Sequence, residues 1–317
     1  MKLGLKVGTR GSKLALAQTQ IVLCALKKLN PSISSEIIMI NTKGDVDKRP
    51  LFSLDKKGIF EKELNEAVIR NKVDFAVHSL KDIPSDFSNQ LTIASIPKRD
   101  KPNDVLVNKK KLKLKDLPPG AVIGTSSLRR AIQLMKKRPD LKAKPIRGNV
   151  DTRIKKSVSG EYDSVILAEA GLRRLGMTEL IVERFDVVDF VPPPGQGAIA
   201  IVCRKDNENL IKALKSLEDP QSRAEIEAER ALLSRIEAGC RFPVGAIALS
   251  SDNTHKIVLY ASIFSADGTK SLKIKKTGSN KDPRKLGIAA ANILLERGAM
   301  KLAEGWRAAV DDWNEQL

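Results

Sequence analysis

The first third of the chain alternates between short apolar segments and longer segments with helical spacing. Leu3–Val7 is apolar enough for a strand, and Lys13–Leu29 is apolar around much of its circumference, as in a buried helix. Further strands are predicted at Glu36–Ile40 and Asp74–Ser79, with a helix over Ile59–Arg70 between them. This order predicts an α/β fold made of βαβ units, with helices on both faces of a sheet.

A second stretch of the chain repeats this pattern. Val122–Ser127 resembles Val7–Ser12, and each segment runs from a strand through a Gly-Thr turn into a helix. Asp163–Ala168 resembles Asp74–Ser79 in the same way. The repetition predicts two similar α/β lobes.

Two proline-containing segments, 96–102 and 191–197, are interpreted as crossings between the lobes, which implies a hinged cleft. Asp219 as N-cap and Pro220 as first residue predict a new helix, with Gly239 suited to its C-terminal stop. We therefore predict three domains: residues 1–97 with 198–217, residues 102–192, and residues 220–317.

The period changes in the last domain. Lys256–Phe264 and Ser271–Lys276 alternate with a period of two, which predicts an antiparallel hairpin. A helix is expected over Pro283–Arg297. Trp306 and Trp313 share one face of a final helix, where we expect them to anchor a core. The domain is thus predicted to be smaller and of α+β type.

Composition limits the possible functions. The 317 residues carry a net charge of +18, which indicates either an anionic partner or a solvated basic surface. Aromatic residues make up only 4%, too few for a convincing base-stacking platform, so we expect no nucleic-acid partner. No apolar run reaches the roughly 18 residues of a membrane span, and the first residues lack a secretory apolar region. We expect a cytoplasmic protein that does not bind membranes.

The strand-to-helix turns carry groups that bind anions. Arg129 and Arg130 fall in the first turn of a predicted helix, where cations oppose the helix dipole and should cost stability. An anion held between the dipole and the guanidinium groups would offset that cost. Arg10 and Ser12 repeat the arrangement in the first lobe, and Thr125 adds a hydroxyl donor in the second. Ordinary capping with surface charge is the alternative. No glycine-rich nucleotide-binding loop is present.

Two ionisable residues, Asp82 and His78, lie near the end of a predicted strand, and their interpretations differ. Asp82 could serve as a general acid or base, or could stabilise a developing cation. An aspartate that forms a turn just before Ile83-Pro84 is the more common reason for such a residue. His78 lies within the strand pattern, and we interpret it as a buried, hydrogen-bonded core residue.

Three cysteines and two histidines occur, with no Cys-x-x-Cys, so neither a disulfide framework nor a metal site is expected. Cys240 follows a predicted helix and precedes Arg241, which would favour its thiolate. It could act as a nucleophile or attachment point, or could be a small buried core residue. Cys24 and Cys203 are both interpreted as core residues.

Together, seven ordered segments resemble the porphobilinogen deaminase, or hydroxymethylbilane synthase, family over nearly the whole chain. The segments are Gly8–Ser12, Val77–Pro84, Gly124–Arg130, Arg147–Arg153, Ala170–Gly176, Gly195–Ala198 and Glu229–Cys240. The resemblance implies two periplasmic-binding-protein-like α/β lobes around a hinged cleft, plus a smaller α+β C-terminal domain with an antiparallel sheet. It also implies a monomeric transferase of tetrapyrrole and haem biosynthesis.

The activity implied by the resemblance joins four porphobilinogen molecules head to tail, with loss of ammonia at each step. The primer is a dipyrromethane cofactor, linked by a thioether to the cysteine that matches Cys240. Asp82 matches the catalytic aspartate, which assists amine loss and stabilises the cationic azafulvene. The other positions implied for the cofactor are Ser79, Lys81, Thr125, Ser127, Arg129, Arg130, Arg147, Gly148 and Gly239. Those implied for the substrate are Arg10, Ser12, Arg153, Arg174, Gln196 and Lys57.

Several positions depart from the family's usual residues, although none of them is a residue named above for the site. The departures are Lys6, Lys56, Ala238 and Phe242. Two other functions fit parts of the pattern. A two-lobed binding protein for a small carboxylate would fit the lobes but would leave Asp82 and Cys240 without a use. A basic nucleic-acid-binding protein would fit the charge, and its binding would weaken steeply with salt.

Overall fold

The computed structural model describes residues 3–42, 61–85, 88–236, 243–251 and 255–315. Its strands are β1 (Leu3–Thr9), β2 (Ile33–Met39), β3 (Phe75–Ser79), β4 (Leu91–Ser95), β5 (Asp104–Val107), β6 (Val122–Gly124), β7 (Lys142–Lys144), β8 (Ser164–Ala168), β9 (Ile181–Arg184), β10 (Ile199–Arg204), β11 (Val244–Ser251), β12 (Lys256–Phe264) and β13 (Ser271–Ser279). Its helices are α1 (Lys13–Leu29), α2 (Lys62–Ile69), α3 (Leu128–Lys137), α4 (Val150–Val158), α5 (Glu169–Arg174), α6 (Glu208–Leu214), α7 (Pro220–Ile236), α8 (Pro283–Glu296), α9 (Ala299–Leu302) and α10 (Trp306–Glu315).

The first sheet has five strands in the order β2-β1-β3-β10-β4. β1 pairs in parallel with β2 and β3, whereas β10 runs antiparallel to β3 and β4. Helix α1 begins at Lys13 and is capped by Ser12, whose hydroxyl accepts a hydrogen bond from the Ala15 amide at 3.3 Å. The buried face of α1 packs Val22 and Leu26 against Phe75 and Val77 of β3.

The second sheet has the same topology, with the order β7-β6-β8-β5-β9. β6 pairs in parallel with β7 and β8, and β5 runs antiparallel to β8 and β9. The predicted repeat is therefore confirmed at the level of strand order. Each sheet also contains a strand, β10 or β5, that runs antiparallel to its neighbours. A strand at 198–203 was expected from its apolar residues, but the βαβ pattern did not predict the antiparallel pairing, because the partners lie far away in the sequence.

The third sheet is antiparallel, in the order β11-β12-β13, and its hairpin is the predicted one. α7 and α8 cover one face and enclose a core that includes Leu232, Ile257 and Leu294. The two helices approach closely at Gly287, where a Cβ atom would lie 2.8 Å from the Leu232 amide nitrogen. The close contact between α7 and α8 leaves no room for a side chain at position 287.

Contacts divide the chain into two compact units. Among the described residues, the first comprises residues 3–42, 61–85, 88–100 and 197–223, and the second comprises residues 101–196, 224–236, 243–251 and 255–315. The second sheet and the antiparallel sheet both belong to the second unit. Within it, Ile132 of α3 packs against Phe264 and Trp306. The three-domain boundaries given above stay a prediction.

The two tryptophans are buried, as predicted: Trp306 is 5% exposed and Trp313 is 9% exposed. Cys203 is buried on β10, also as predicted. The interpretation of Cys24 as a core residue is wrong, because this residue lies on the exposed side of α1. α1 buries only one stripe along its length, and Cys24 follows Val22 and Leu23 round the helix out of that stripe. No helix among the described residues is long and apolar enough to span a membrane.

Candidate functional site

In the first unit, the candidate residues follow the ends of β1 and β3. Ser12 caps α1, and Arg10 precedes it in the turn after β1. Ser79 ends β3, and its hydroxyl exchanges two hydrogen bonds with the Gln18 side chain, at 2.9 and 3.2 Å. The carboxyl ends of neighbouring parallel strands are where ligands bind in open α/β sheets.

Asp82 lies in a 3-10 turn, Leu80–Asp82, directly after β3. Leu80 is buried and fixes the turn, whereas Lys81 and Asp82 are exposed. The second unit contains the same tripeptide in the same conformation at Leu114–Asp116. The local sequence therefore builds an exposed carboxylate at both places, and only the surroundings distinguish them.

His78 points its ring into the interior of the first unit and is 6% exposed. Burial, with the positive charge of Arg10 as a second cause, lowers the pKa of His78 from 6.5 to about 4. The ring is neutral at pH 7 as a result. The prediction of a buried histidine is confirmed, but its Nε2 atom has no hydrogen-bond partner among the described residues, contrary to the expected satisfied ring.

In the second unit, the turn between β6 and α3 is closed by its own hydroxyl groups. Ser127 caps α3 by accepting from the Arg130 amide at 3.4 Å, and its own amide donates to the Thr125 hydroxyl at 3.2 Å. Ser126 donates to the Ile146 carbonyl at 2.7 Å. Thr125 is fully buried. These hydroxyls hold the backbone of the turn in place.

Arg129 and Arg130 both turn into the interior of the second unit, where each is 6% exposed. Their guanidinium groups share the carboxylate of Asp104, the first residue of β5. Arg129 Nη2 lies 3.0 Å from Oδ2, and Arg130 Nη2 lies 2.7 Å from Oδ1. Arg129 also donates to the Val191 carbonyl, and Arg130 donates to the Ile166 carbonyl at 3.2 Å.

This buried cluster carries two positive charges and one negative charge. Burial raises the pKa of Asp104, but Arg130 and Arg129 outweigh it and hold that pKa well below its usual range. The carboxylate is therefore ionised, and the cluster of Asp104, Arg129 and Arg130 has a net charge of +1. Arg130 Nε is buried with no hydrogen-bond partner in the described part of the chain. Buried charge without a counter-ion is costly, so the cluster is suited to an added anion.

Gln196 joins the same cluster from the segment 191–196. Its side-chain amide donates to Asp104 Oδ1 at 2.8 Å and to the Pro102 carbonyl at 2.7 Å, and its oxygen lies 3.4 Å from Arg130 Nη2. Sequence reasoning named Arg129, Arg130 and Gln196 but missed Asp104. A carboxylate at the start of an otherwise apolar strand was the available signal, because such a group needs a partner when it is buried.

The remaining described candidates of the second unit lie on α4, on α5 and in the turn that precedes α4. Arg153 donates through Nε to the Gly148 carbonyl at 2.7 Å. Gly148 has φ +110°, and a Cβ atom there would lie 2.6 Å from Thr152, so only glycine fits this turn. Arg147 and Arg174 are partly exposed. Lys57, Gly239 and Cys240 lie outside the described residues.

Two family models match the chain consecutively. The first, "Porphobilinogen deaminase, dipyromethane cofactor binding domain", matches residues 5–212, and the second, "Porphobilinogen deaminase, C-terminal domain", matches residues 223–296. The chain belongs to the porphobilinogen deaminase family. The resemblance predicted from the seven segments is confirmed, and with it the class of enzyme, a transferase, and the dipyrromethane cofactor of the family.

Curated relatives agree over nearly the full length. The chain is 52% identical over 309 residues to the probable porphobilinogen deaminase of Nitrosopumilus maritimus strain SCM1, covering 98% of both chains. It is 44% identical over 306 residues to the porphobilinogen deaminase of Roseiflexus castenholzii, covering 96% of this chain and 100% of that one.

Solved structures of more distant proteins were also compared. The methionine binding protein MetQ aligns with 68% of this chain and 89% of its own, at 13% identity and a TM-score of 0.44. The expected fold class rests on the sheets themselves: two five-stranded α/β sheets and a smaller antiparallel sheet.

Proposed function

We propose that this chain joins four porphobilinogen molecules head to tail, releasing ammonia at each step, on a dipyrromethane primer that Cys240 holds through a thioether. Membership of the porphobilinogen deaminase family over nearly the whole chain carries this proposal. We assign Asp82 as the catalytic residue. The positions that match the family's carboxylate-binding residues are assigned to the cofactor and the growing product, as in the sequence analysis.

The residues present fit a ligand that bears carboxylates. The cluster at Asp104 has a net charge of +1 and a buried Arg130 Nε with no partner among the described residues, and one carboxylate would supply the missing negative charge. Ser12 and Ser127 cap two helices of at least ten residues, whose positive ends favour anions. Each charge-assisted hydrogen bond of this kind contributes about 1.5–3 kcal/mol.

Porphobilinogen loses ammonia from an aminomethyl carbon. The ammonium group leaves as ammonia with the electron pair of the carbon–nitrogen bond, and the positive charge passes to the pyrrole. Asp82 is an exposed carboxylate at the end of β3, so it can reach a ligand and stabilise that cation. When bound, the dipyrromethane would supply the pyrrole carbon to which the first substrate is joined, and the hydrogen on that carbon would leave as a proton.

The intact mass of the purified protein tests the proposal most directly. We expect the parent to carry an added mass that matches a dipyrromethane, and Cys240→Ser to lack it. Cys24→Ser is the matched control, because Cys24 is an exposed thiol on α1 that should not affect the adduct.

Purified apoenzyme would also show no adduct, so porphobilinogen is then added to the same sample. An adduct that now appears, together with consumption of porphobilinogen, supports the proposal. A parent whose mass never changes and that consumes no porphobilinogen would contradict it and would favour a carboxylate-binding protein.

We also propose that the enzyme works as a monomer, as the family resemblance implies, and that it acts in the cytoplasm without membrane or nucleic-acid partners, as its composition and hydropathy lead us to expect. Light scattering after gel filtration should give the mass of one 34.8 kDa chain. A dimer mass, or a shift on adding duplex DNA at physiological salt, would contradict this part of the proposal.

A further inference from the structure

We propose that Asp104 is a positioning residue, which orients Arg130 and Gln196 for the anionic ligand of the second unit. The inference rests on the proposed function, since both residues are assigned there to the cofactor and substrate. Asp104 itself matches none of the positions assigned to either ligand.

Three side chains contact the carboxylate of Asp104, two of them at one oxygen. Its Oδ1 atom accepts from Arg130 Nη2 at 2.7 Å and from Gln196 Nε2 at 2.8 Å, and Gln196 Oε1 lies 3.4 Å from the same Arg130 nitrogen. Its Oδ2 atom accepts from Arg129 at 3.0 Å. Both oxygens are engaged, so rotation of the carboxylate would break contacts with all three partners.

The backbone of Asp104 is held within the second sheet by its neighbours on both sides of β5. Asp104 pairs with Ala168 of β8, and its carbonyl accepts from the Phe185 amide, beyond the end of β9, at 3.0 Å. Arg130 comes from α3 and Gln196 from the segment 191–196, so neither shares this support. Because β5 holds Asp104 in place, its carboxylate can fix the side chains of Arg130 and Gln196, which come from two separate parts of the chain.

Further hydrogen bonds within the second unit hold the segment 191–196 in place. Val191 exchanges hydrogen bonds with the Gln133 side chain, at 2.8 and 3.2 Å. Glu229 of α7 accepts from the Gly195 amide at 2.7 Å and from the Ala248 amide at 2.8 Å. The backbone on either side of Gln196 is thus fixed without Asp104, and what Asp104 adds is the orientation of the Gln196 side chain.

A neutral side chain at position 104 would remove the negative charge between two buried guanidinium groups. Asp104→Asn keeps one acceptor oxygen but leaves Arg129 and Arg130 to repel each other. Each guanidinium would then move toward its backbone carbonyl or toward solvent. Arg130 and Gln196 would lose the shared oxygen that orients them together.

An ion pair with only a structural role would also be buried, but its removal would leave ligand binding unchanged. Glu169, the first residue of α5, offers that comparison in the same unit: it is fully buried and pairs with the half-exposed Arg184, whose Nη2 lies 2.7 Å from Oε1. None of the residues assigned to the ligands touches the Glu169 carboxylate in these hydrogen bonds. Glu169→Gln is therefore the matched control.

The experiment compares the parent, Asp104→Asn, Glu169→Gln, Gln196→Met and the Asp104→Asn/Gln196→Met double variant. For each, we measure Tm, the fraction that carries the adduct by intact mass, and KM and kcat for porphobilinogen in the loaded protein. Because one charge-assisted contact is lost, we expect Asp104→Asn to have a loaded fraction at least about 10-fold lower, or a KM at least about 10-fold higher, than the parent. Glu169→Gln should load as the parent does despite a lower Tm.

If Asp104 acts through Gln196, the double variant should be no worse than the worse single variant. Should Asp104→Asn fail to fold, Asp104→Asn/Arg129→Gln restores the net charge of +1 and is compared with Arg129→Gln alone. Parent-like loading and KM in Asp104→Asn, or an equal loss in Glu169→Gln, would overturn the inference. A parent that never acquires an adduct from porphobilinogen counts against the proposed function instead.

Discussion

The two α/β sheets have the same strand order but bury different chemistry at equivalent positions. Gly8 pairs with Ala76 in the first sheet, and Gly124 pairs with Val165 in the second, which fixes the correspondence. Two positions further along, the first sheet has His78 where the second has Leu167.

On the neighbouring antiparallel strand the difference is reversed: the apolar residue is in the first sheet and the ionisable residue is in the second. Ile199 pairs with Ser79 in the first sheet, and Asp104 pairs with Ala168 in the second. The helix that follows the first turn buries no cation, whereas α3 buries both Arg129 and Arg130. One fold thus carries a buried neutral imidazole beside an exposed acid in one lobe, and an ionised cluster of Asp104, Arg129 and Arg130 in the other.

This contrast indicates a division of work. A lobe that holds cations in its interior has fixed positive charge at little conformational cost, which suits a ligand bound throughout the reaction. The first lobe leaves Asp82, which we propose as the catalytic residue, exposed after β3, where it can reach each incoming substrate. The predictions below test that division.

The largest effect is expected at Asp82. Asp82→Asn should lower kcat by at least about 100-fold, since it removes the carboxylate that we propose stabilises the cation. Tm should barely change, because the side chain is exposed. Asp116→Asn, in the identical Leu-Lys-Asp turn of the second unit, should leave kcat within twofold. Equal losses in the two variants would show that the turn, and not the site, matters.

The buried neutral histidine of the first lobe, His78, can be tested through the pH dependence of stability. Its folded pKa of about 4 lies below the unfolded value of 6.5, so the unfolded state binds the proton more tightly. The stability that this residue provides is present above pH 6.5 and is lost as pH falls toward 4, by about 3 kcal/mol. His78→Leu, which copies Leu167, should remove that dependence in urea unfolding between pH 7.5 and pH 4. A variant whose unfolding follows pH as the parent's does would contradict the assignment.

The smallest effect should be the same in both lobes. Asp74 accepts from the Lys6 amide at 2.6 Å, and Asp163, at the equivalent position, accepts from the Val122 amide at 2.8 Å. Asp74→Ala and Asp163→Ala should each lower the free energy of unfolding by about 0.5–1.5 kcal/mol. Urea denaturation of the two variants should give matching values. A difference above about 1 kcal/mol would mean that the lobes differ in framework as well as in chemistry.

Much of this architecture could be predicted from local patterns. The spacing of apolar residues gave α1 its observed bounds, Lys13–Leu29, and the alternation in Lys256–Phe264 marked β12. The strands β4, β5, β7, β9 and β11 were not predicted. Several of them are three to five residues long, and their pairing depends on partners far along the chain.

The candidate site was predictable as a set of residue types but not as an arrangement. Two adjacent arginines at a helix start indicated an anion site, and the structure adds that they are buried on Asp104. No local pattern connects Asp104 with Gln196, because the hydrogen bond between them spans 92 positions. Cys24 was misjudged for a related reason: the helix was correct, but the width of its buried stripe depends on what packs against it.

The antiparallel strand β10 has a consequence for how the chain is made. β10 lies between β3 and β4 in the first sheet, yet it is synthesised after the whole second sheet. The ribosome adds about 5–20 residues per second, so β3 and β4 wait on the order of 5–20 s for the strand that joins them. During translation the second sheet can close first, although it begins later in the sequence. The amino-terminal lobe is therefore the last of the two to acquire its complete sheet.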